Sequence, residues 1–425
     1  MLKRSFLYFL TFIFSVSVLL TGCGNTLSKK TNSNVQQGKV ELTMWHYFAQ
    51  SNQQKALKEI GDAFSKSKDG KVTIKFQYIP FAQLKQQITI GATGGNLPDL
   101  VQIDNPDHAS FASMGILEDL TPEIEQWGQA KKFFDGPIHS VMLDGKYYGL
   151  PLDSNCLVLF YNVKMFNNAG LSKPPATWSE LEDYAKKLTK GDIKGLAFSA
   201  IKSEESTFQF LPFVWQAGAD YNNLDSKGGI EALSFWTDLV KNGYVSKDVL
   251  NQTQGDIVTA QFASEKVAMM INGPYEIPTI EQAAPDFKAN EDWKVAPLPT
   301  YKTAASALGG ENIAVIKSSK HKDLAWEFIK FFEQPQIAEK WYKEAGYLPS
   351  RKDVAETSSY WKDDPILSVL SEEMNVARPR GPEPRWPEIS TAIQEAIQEA
   401  LTGTASPEQA LKNASEQINK VINKK

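Results

Sequence analysis

The histidines His46, His108, His139 and His321 stand far apart, with no i, i+4 partner and no metal-ligand spacing. No G-x-S-x-G elbow, P-loop or G-x-G-x-x-G turn occurs. With 50 acidic residues, a glycosidase-like carboxylate pair stays open, although accidental pairs are expected at that number. A different pattern recurs at the expected ends of strands. Aromatic rings stand beside planar polar groups at Trp45-His46, Gln102 with Asp104, Asp153, Trp215, Asn272 with Tyr275, Glu311-Asn312 and Arg385-Trp386. Flat rings cover apolar C–H faces, and Asp, Glu, Asn and Arg satisfy hydroxyls in pairs. That combination suits a sugar, and each buried hydrogen bond left unmade by a wrong stereoisomer costs ~1–3 kcal/mol. For each of these residues a cap, turn or core role is the competing expectation.

The elements that would hold these residues alternate in type. Val40, Leu42 and Met44 alternate as a strand, and Leu57, Ile60 and Phe64 share one helix face. A second alternating strand covers Val72 to Tyr78, a helix runs from about Phe81, and residues 98–104 form a short buried strand. Strand, helix, strand, helix, strand predicts a parallel α/β sheet, with ligands beyond the carboxyl ends of its strands. A second α/β pattern follows Tyr161. Thr177-Trp178-Ser179-Glu180 is a capping box, residues 208–219 form an apolar helix, and residues 267–273 form a buried strand. Trp236 and Trp326 lie on helix faces and are expected in the core. Ser406-Pro407-Glu408-Gln409 opens a terminal helix.

Between the two patterns, Asp144-Gly145 predicts a tight hairpin, residues 146–150 a short strand, and residues 156–161 one buried strand. Pro151 and the polar knot Asp153-Ser154-Asn155 read either as a plain loop or as a crossing from one domain to the next.

The amino terminus sets the compartment. Lys3 and Arg4 precede an apolar run too short for a comfortable span of ~20 residues, and the run ends at Leu20-Thr21-Gly22-Cys23. Removing residues 1–22 from the 425 leaves 403; Lys3 and Arg4 go with no acid, so the formal charge moves from −5 to −7. An acidic chain without basic clusters has no footprint for nucleic acid. Residues 24–38 are polar and read as a leash. Cys156 lies in an apolar run and reads as a small buried hydrophobe.

The ordered motifs resemble the family 1 extracellular solute-binding proteins, the sugar-binding lipoproteins of ABC importers. They are the lipobox at Cys23, Met44-Trp45-His46, Leu97-Pro98-Asp99-Leu100-Val101, Gly145-Lys146-Tyr147-Tyr148-Gly149-Leu150-Pro151, Gly309-Gly310-Glu311-Asn312, Leu348-Pro349-Ser350-Arg351, and the tail from Gly403 to Leu411. The resemblance spans nearly all of the mature chain. It implies a two-lobed α/β, periplasmic-binding-protein-like fold (type II), with the ligand cleft between lobes joined by hinge crossings. Residues 1–22 would be the signal peptide and 23–38 the lipidated Cys23 and tether. The first lobe would hold 39–151 and 298–350, the second 154–296 and 353–425. The resemblance implies Trp45, Asp104, Asp153, Trp215, Tyr275, Gly310, Glu311, Arg385 and Trp386 as ligand contacts. It implies no catalytic residue, no cofactor and no metal. Its partners would be a carbohydrate and the permease subunits of an ABC importer, with a lipid anchor on the outer face of a Gram-positive cell membrane and a monomeric receptor. The basic, Pro-rich residues 378–385 leave a second reading, a phosphorylated or otherwise anionic solute.

Overall fold

The computed structural model describes residues 39–423. The leader, Cys23 and the leash lie outside the described residues. Among the described residues, no helix is long and apolar enough to cross a membrane.

The strands, in chain order, are β1 (Val40–His46), β2 (Val72–Tyr78), β3 (Leu100–Asp104), β4 (Met142–Leu143), β5 (Lys146–Tyr147), β6 (Leu150–Pro151) and β7 (Asn155–Cys156). They continue with β8 (Val158–Asn162), β9 (Lys194–Ala197), β10 (Val267–Asn272), β11 (Trp293–Ala296), β12 (Ser306–Gly309), β13 (Glu311–Val315) and β14 (Ala377–Pro379). One sheet has the order β2-β1-β3-β13-β6, and a second has β11-β8-β10-β9. In the first, β1 runs parallel to β2 and β3, as the strand–helix alternation predicts, and β13 returns antiparallel to β3. Helix Ser51–Ser67 buries Ala56, Leu57, Ile60 and Phe64, and helix Pro335–Ala345 packs beside it. The second sheet is buried on both faces. Its core includes Phe198 stacked on Trp236 at 4.0 Å and the terminal helices Trp386–Thr402 and Pro407–Ile422. Thr177 and Ser406 cap their helices as expected. Trp236 and Trp326 are core residues.

A third, small sheet, β14-β12-β7, stands where the chain passes between lobes. Leu152 N donates to Glu311 O (2.7 Å), and Ser154 and Leu348 exchange backbone bonds of 2.9 Å each. Gly310 between β12 and β13 has φ +134°, and a Cβ there would lie 2.5 Å from Asp153 O. A side chain at 310 is therefore excluded both by backbone conformation and by the neighbouring crossing.

Three expectations are corrected. Residues 156–161 do not make one strand. The Ser306 hydroxyl accepts from Leu157 N and donates to Leu157 O, which turns the chain from β7 into β8. Residues 146–150 also divide, with β5 closing the Asp144-Gly145 hairpin (φ 50° and 77°) and β6 joining the first sheet. Gly149 between them comes so close to Ile313 O that a Cβ would stand 2.4 Å away. Finally, Leu298, Ala305 and Ala307 pack in the core of the second sheet rather than the first, because Thr300 pairs with Thr177 and Gln216 donates to Ala305 O.

Candidate functional site

The carboxyl ends of β1 and β3 deliver Tyr47 and Asp104 to the face opposite the second lobe, and Glu311 starts β13 beside them. From the second lobe, helix Glu204–Gln216 presents its first turn. It begins four residues before the expected Phe208, with Ser203 as N-cap accepting from Glu205 N. That early start points Glu204, Glu205 and Phe208 into the gap. Gln254, Tyr275 and Glu276 come from helical turns on either side of β10. A cavity of about 180 Å³ results, walled by both lobes. A second cavity of about 250 Å³ adjoins it and shares Tyr47, Phe81, Asp104 and Glu204.

Arg380, just past β14, is 4% exposed and ties the two lobes together. Its guanidinium donates to Asp104 Oδ1 (3.0 Å) and Oδ2 (3.2 Å), to Glu204 Oε1 (2.8 Å) and to Asn105 Oδ1 (3.2 Å), and stacks on Phe208 at 4.4 Å. Burial opposes its charge, and the two acids outweigh burial, so its pKa is raised. Burial raises the pKa of Asp104 in spite of Arg380.

The other acids of the cavity wall have no cation beside them there. Burial lifts both Glu205 and Glu276 to about 7. Burial first, and Asp153 next, push Glu311 well above the carboxylate range. Tyr47 Oη (3.1 Å) and Tyr347 Oη (3.4 Å) donate to Glu311 Oε1, and Tyr275 Oη donates to Gln254 Oε1 (2.7 Å). Several wall atoms have no partner among the described residues: Asn155 Oδ1, Gln254 Nε2, Glu276 Oε2, Glu311 Oε2 and Arg380 Nε. Buried polar atoms are ordinarily paired, so a wall with this many unmatched atoms is arranged for a polar occupant. Among the described residues, no group of His, Cys, Asp and Glu could hold a metal ion.

Of the residues expected at the site, Asp104, Tyr275, Gly310 and Glu311 line the cavity. Asp153 lies one layer below. It is 1% exposed, accepts from Glu311 N (3.0 Å) and Trp341 Nε1 (2.8 Å), and so fixes the Glu311 backbone. Trp386 is fully buried and reaches the site only through its Nε1 bond to Glu204 Oε1 (3.0 Å). The remaining three are corrected. Trp45 packs among Ile79, Leu84 and Val101. Trp215 sits in the second core with Nε1 bonded to Asp220. Arg385 is held on the surface by Glu388 at 2.7 Å. The large indoles are more useful filling cores than lining a polar gap. Tyr47, Phe81, Phe208 and Tyr347 supply the cavity's other rings.

Known proteins resemble the chain along almost its whole length. Residues 59–368 match the family described as bacterial extracellular solute-binding protein. A galactooligosaccharide-binding protein of Bacillus subtilis is 26% identical over 95% of this chain and 94% of its own. A putative binding protein of Brucella abortus is 26% identical over 92% of this chain and 95% of its own. An ABC transporter solute-binding protein of Thermotoga lettingae, solved with alpha-D-tagatose, superposes with a TM-score of 0.84 at 30% identity, over 91% of this chain and 100% of that one. A maltose-bound T. maritima protein superposes at 0.82 with 25% identity, over 90% and 100%. Two lobes with a polar cavity between them, and a match over most of the chain, make one conclusion: this protein belongs to the bacterial extracellular solute-binding protein family.

Proposed function

We propose that the chain is a non-enzymatic receptor that captures a carbohydrate in the cavity between its lobes and delivers it to an ABC import permease. The observation that carries this reading is the cavity wall, in which aromatic rings stand among planar polar groups, several with a buried atom that lacks a partner among the described residues. Asp104, Tyr275 and Glu311 contact the ligand together with Tyr47, Asn155, Gln254 and Arg380. The saccharide ligands named for the relatives agree with this chemistry. The leader ending at Leu20-Thr21-Gly22-Cys23 supports lipidation at Cys23 and a tether to the outer face of a membrane. The anionic-solute reading loses ground, since the one arginine in the cavity wall already faces Asp104 and Glu204.

A ligand that contacts both lobes favours the closed arrangement only by its differential affinity for it. Thermal unfolding with a panel of neutral mono- and oligosaccharides tests the reading. A saccharide present at about 100 times its Kd stabilises the fold by about 2.7 kcal/mol. A rise with glycerol 3-phosphate and with no saccharide overturns the carbohydrate assignment. Cleavage products from an incubated oligosaccharide overturn the non-enzymatic one.

A further inference from the structure

The cavity wall is unequal in its ionisable groups. Its wall carries Asp104, Glu204, Glu205, Glu276 and Glu311 against Arg380 alone. Arg380 is taken up by Asp104 and Glu204. Glu205, Glu276 and Glu311 are left with no cation in the wall. The corner nearest Tyr275 concentrates the effect. Gln50 Nε2 donates to Tyr275 O (2.8 Å) and Thr279 Oγ1 (2.7 Å), which leaves Gln50 Oε1 as an acceptor without a partner among the described residues. Glu276 is 7% exposed, yet its Oε2 also lacks a partner there, and the residue lines the cavity. Glu205 adds a third acceptor group, held by Gln254 N at 2.7 Å. Gln50 Oε1 and Glu276 Oε2 need a donor, and a charged donor also relieves the repulsion between Glu205 and Glu276.

We propose that the solute is an amine-bearing saccharide, whose ammonium seats at the corner of Gln50, Glu205 and Glu276 while its hydroxyls face Glu311, Gln254 and Arg380. A sugar phosphate or uronate is excluded by the same carboxylates. This inference rests on the carbohydrate reading and narrows it. The nine-tenths buried Glu276 carboxyl, whose Oε2 lacks a partner among the described residues, is what separates it from a general polar lining, because buried acids are ordinarily paired or hydrogen-bonded. The adjoining cavity does not share the imbalance. Lys85 there meets Asp107 at 2.7 Å, and Lys202, bonded to Glu395 at 3.0 Å, is a second cation in its wall.

The test is isothermal titration at pH 7 with matched pairs: D-glucosamine and D-glucose, D-galactosamine and D-galactose, and a β-1,4-linked glucosamine disaccharide and cellobiose. D-glucose 6-phosphate and D-glucuronate serve as anionic probes. In at least one pair the amine is expected to bind about tenfold tighter, the margin by which a charge-assisted hydrogen bond exceeds a neutral one. The anionic probes are expected to bind more weakly than any neutral member that binds. Glu276→Gln should weaken the amine about tenfold more than its neutral partner and so abolish the preference, with Glu205→Gln doing the same if the first variant does not fold. Neutral members binding as tightly as amines in every pair overturn the amine assignment and leave the carbohydrate receptor standing. Equal losses for both members in the glutamine variants also overturn it. Binding by no saccharide overturns both readings together.

Discussion

The two ends of the cavity treat buried carboxylates in opposite ways. At one end Asp104 and Glu204 are each bonded to a single guanidinium, and Trp386 and Ser390 complete the shell of Glu204. At the other end Glu205 and Glu276 have no cation in the cavity wall beside them, and burial moves them to about 7. The first arrangement is a structural tie between lobes. A buried charge whose partner is removed destabilises strongly, even though the intact pair adds little net stability. The second arrangement keeps acceptors available. Groups that are already satisfied hold the lobes in register, and groups that are not satisfied wait for the solute.

Several substitutions can break or sharpen that contrast. The largest effect belongs to Arg380→Met, which leaves Asp104 and Glu204 buried and uncompensated. Urea unfolding should show a loss of about 3–5 kcal/mol. Adding Asp104→Asn and Glu204→Gln to that variant should restore part of it, and no restoration would mean that the ion pairs are not the cause. Next is Asp153→Ala, which removes the partner of Glu311 N and Trp341 Nε1. A loss of about 2–3 kcal/mol in stability is expected, accompanied by weaker ligand binding. Unchanged affinity would separate Asp153 from the site altogether.

The pH dependence of stability comes third. Glu205, Glu276 and Glu373 have folded pKa values raised to about 7 from 4.5. The folded state therefore binds more protons than the unfolded state between these values, and stability falls as pH rises through the window. His46 and His108 are lowered by burial to about 4 and about 3, so they act in the opposite direction below pH 6.5. Above 6.5 the carboxyls act alone. Unliganded protein should lose at least about 2 kcal/mol between pH 6.5 and 8, read as a falling Tm. A Tm that rises across that interval would place the carboxyls in the ordinary range. The smallest effect is Tyr47→Phe, which deletes one donor to Glu311 and should weaken ligand binding by about 1 kcal/mol with little change in stability.

Much of the frame was legible in the residues. Alternation and capping located the first three strands, the Thr177 and Ser406 helix starts and the Asp144-Gly145 hairpin. Asp104 and Glu311 were legible for a topological reason. They stand where strands of an open α/β sheet meet the crevice, and that position is written in the order of elements. Trp45, Trp215 and Trp386 were misread because an indole beside a polar residue looks the same in sequence whether its ring stacks on a ligand or fills a core. In the fold, Asp220 and Glu204 satisfy two of those indoles internally. Arg380 stood out only as one of several arginines in a Pro-rich stretch. Its partners lie 276 and 176 residues away, a distance over which no local spacing speaks. Glu205 and Glu276 were not singled out, since a buried carboxyl without a cation is a property of the assembled cavity.

Native mass spectrometry of protein purified under mild conditions tests the central claim most directly. Wild-type protein should carry a saccharide-sized mass that Glu311→Ala, which deletes a cavity carboxyl shared by the two tyrosines, retains much less. A retained saccharide of equal occupancy in that variant, or a bound solute that is a phosphate ester instead, would contradict the assignment of this cavity as a carbohydrate site.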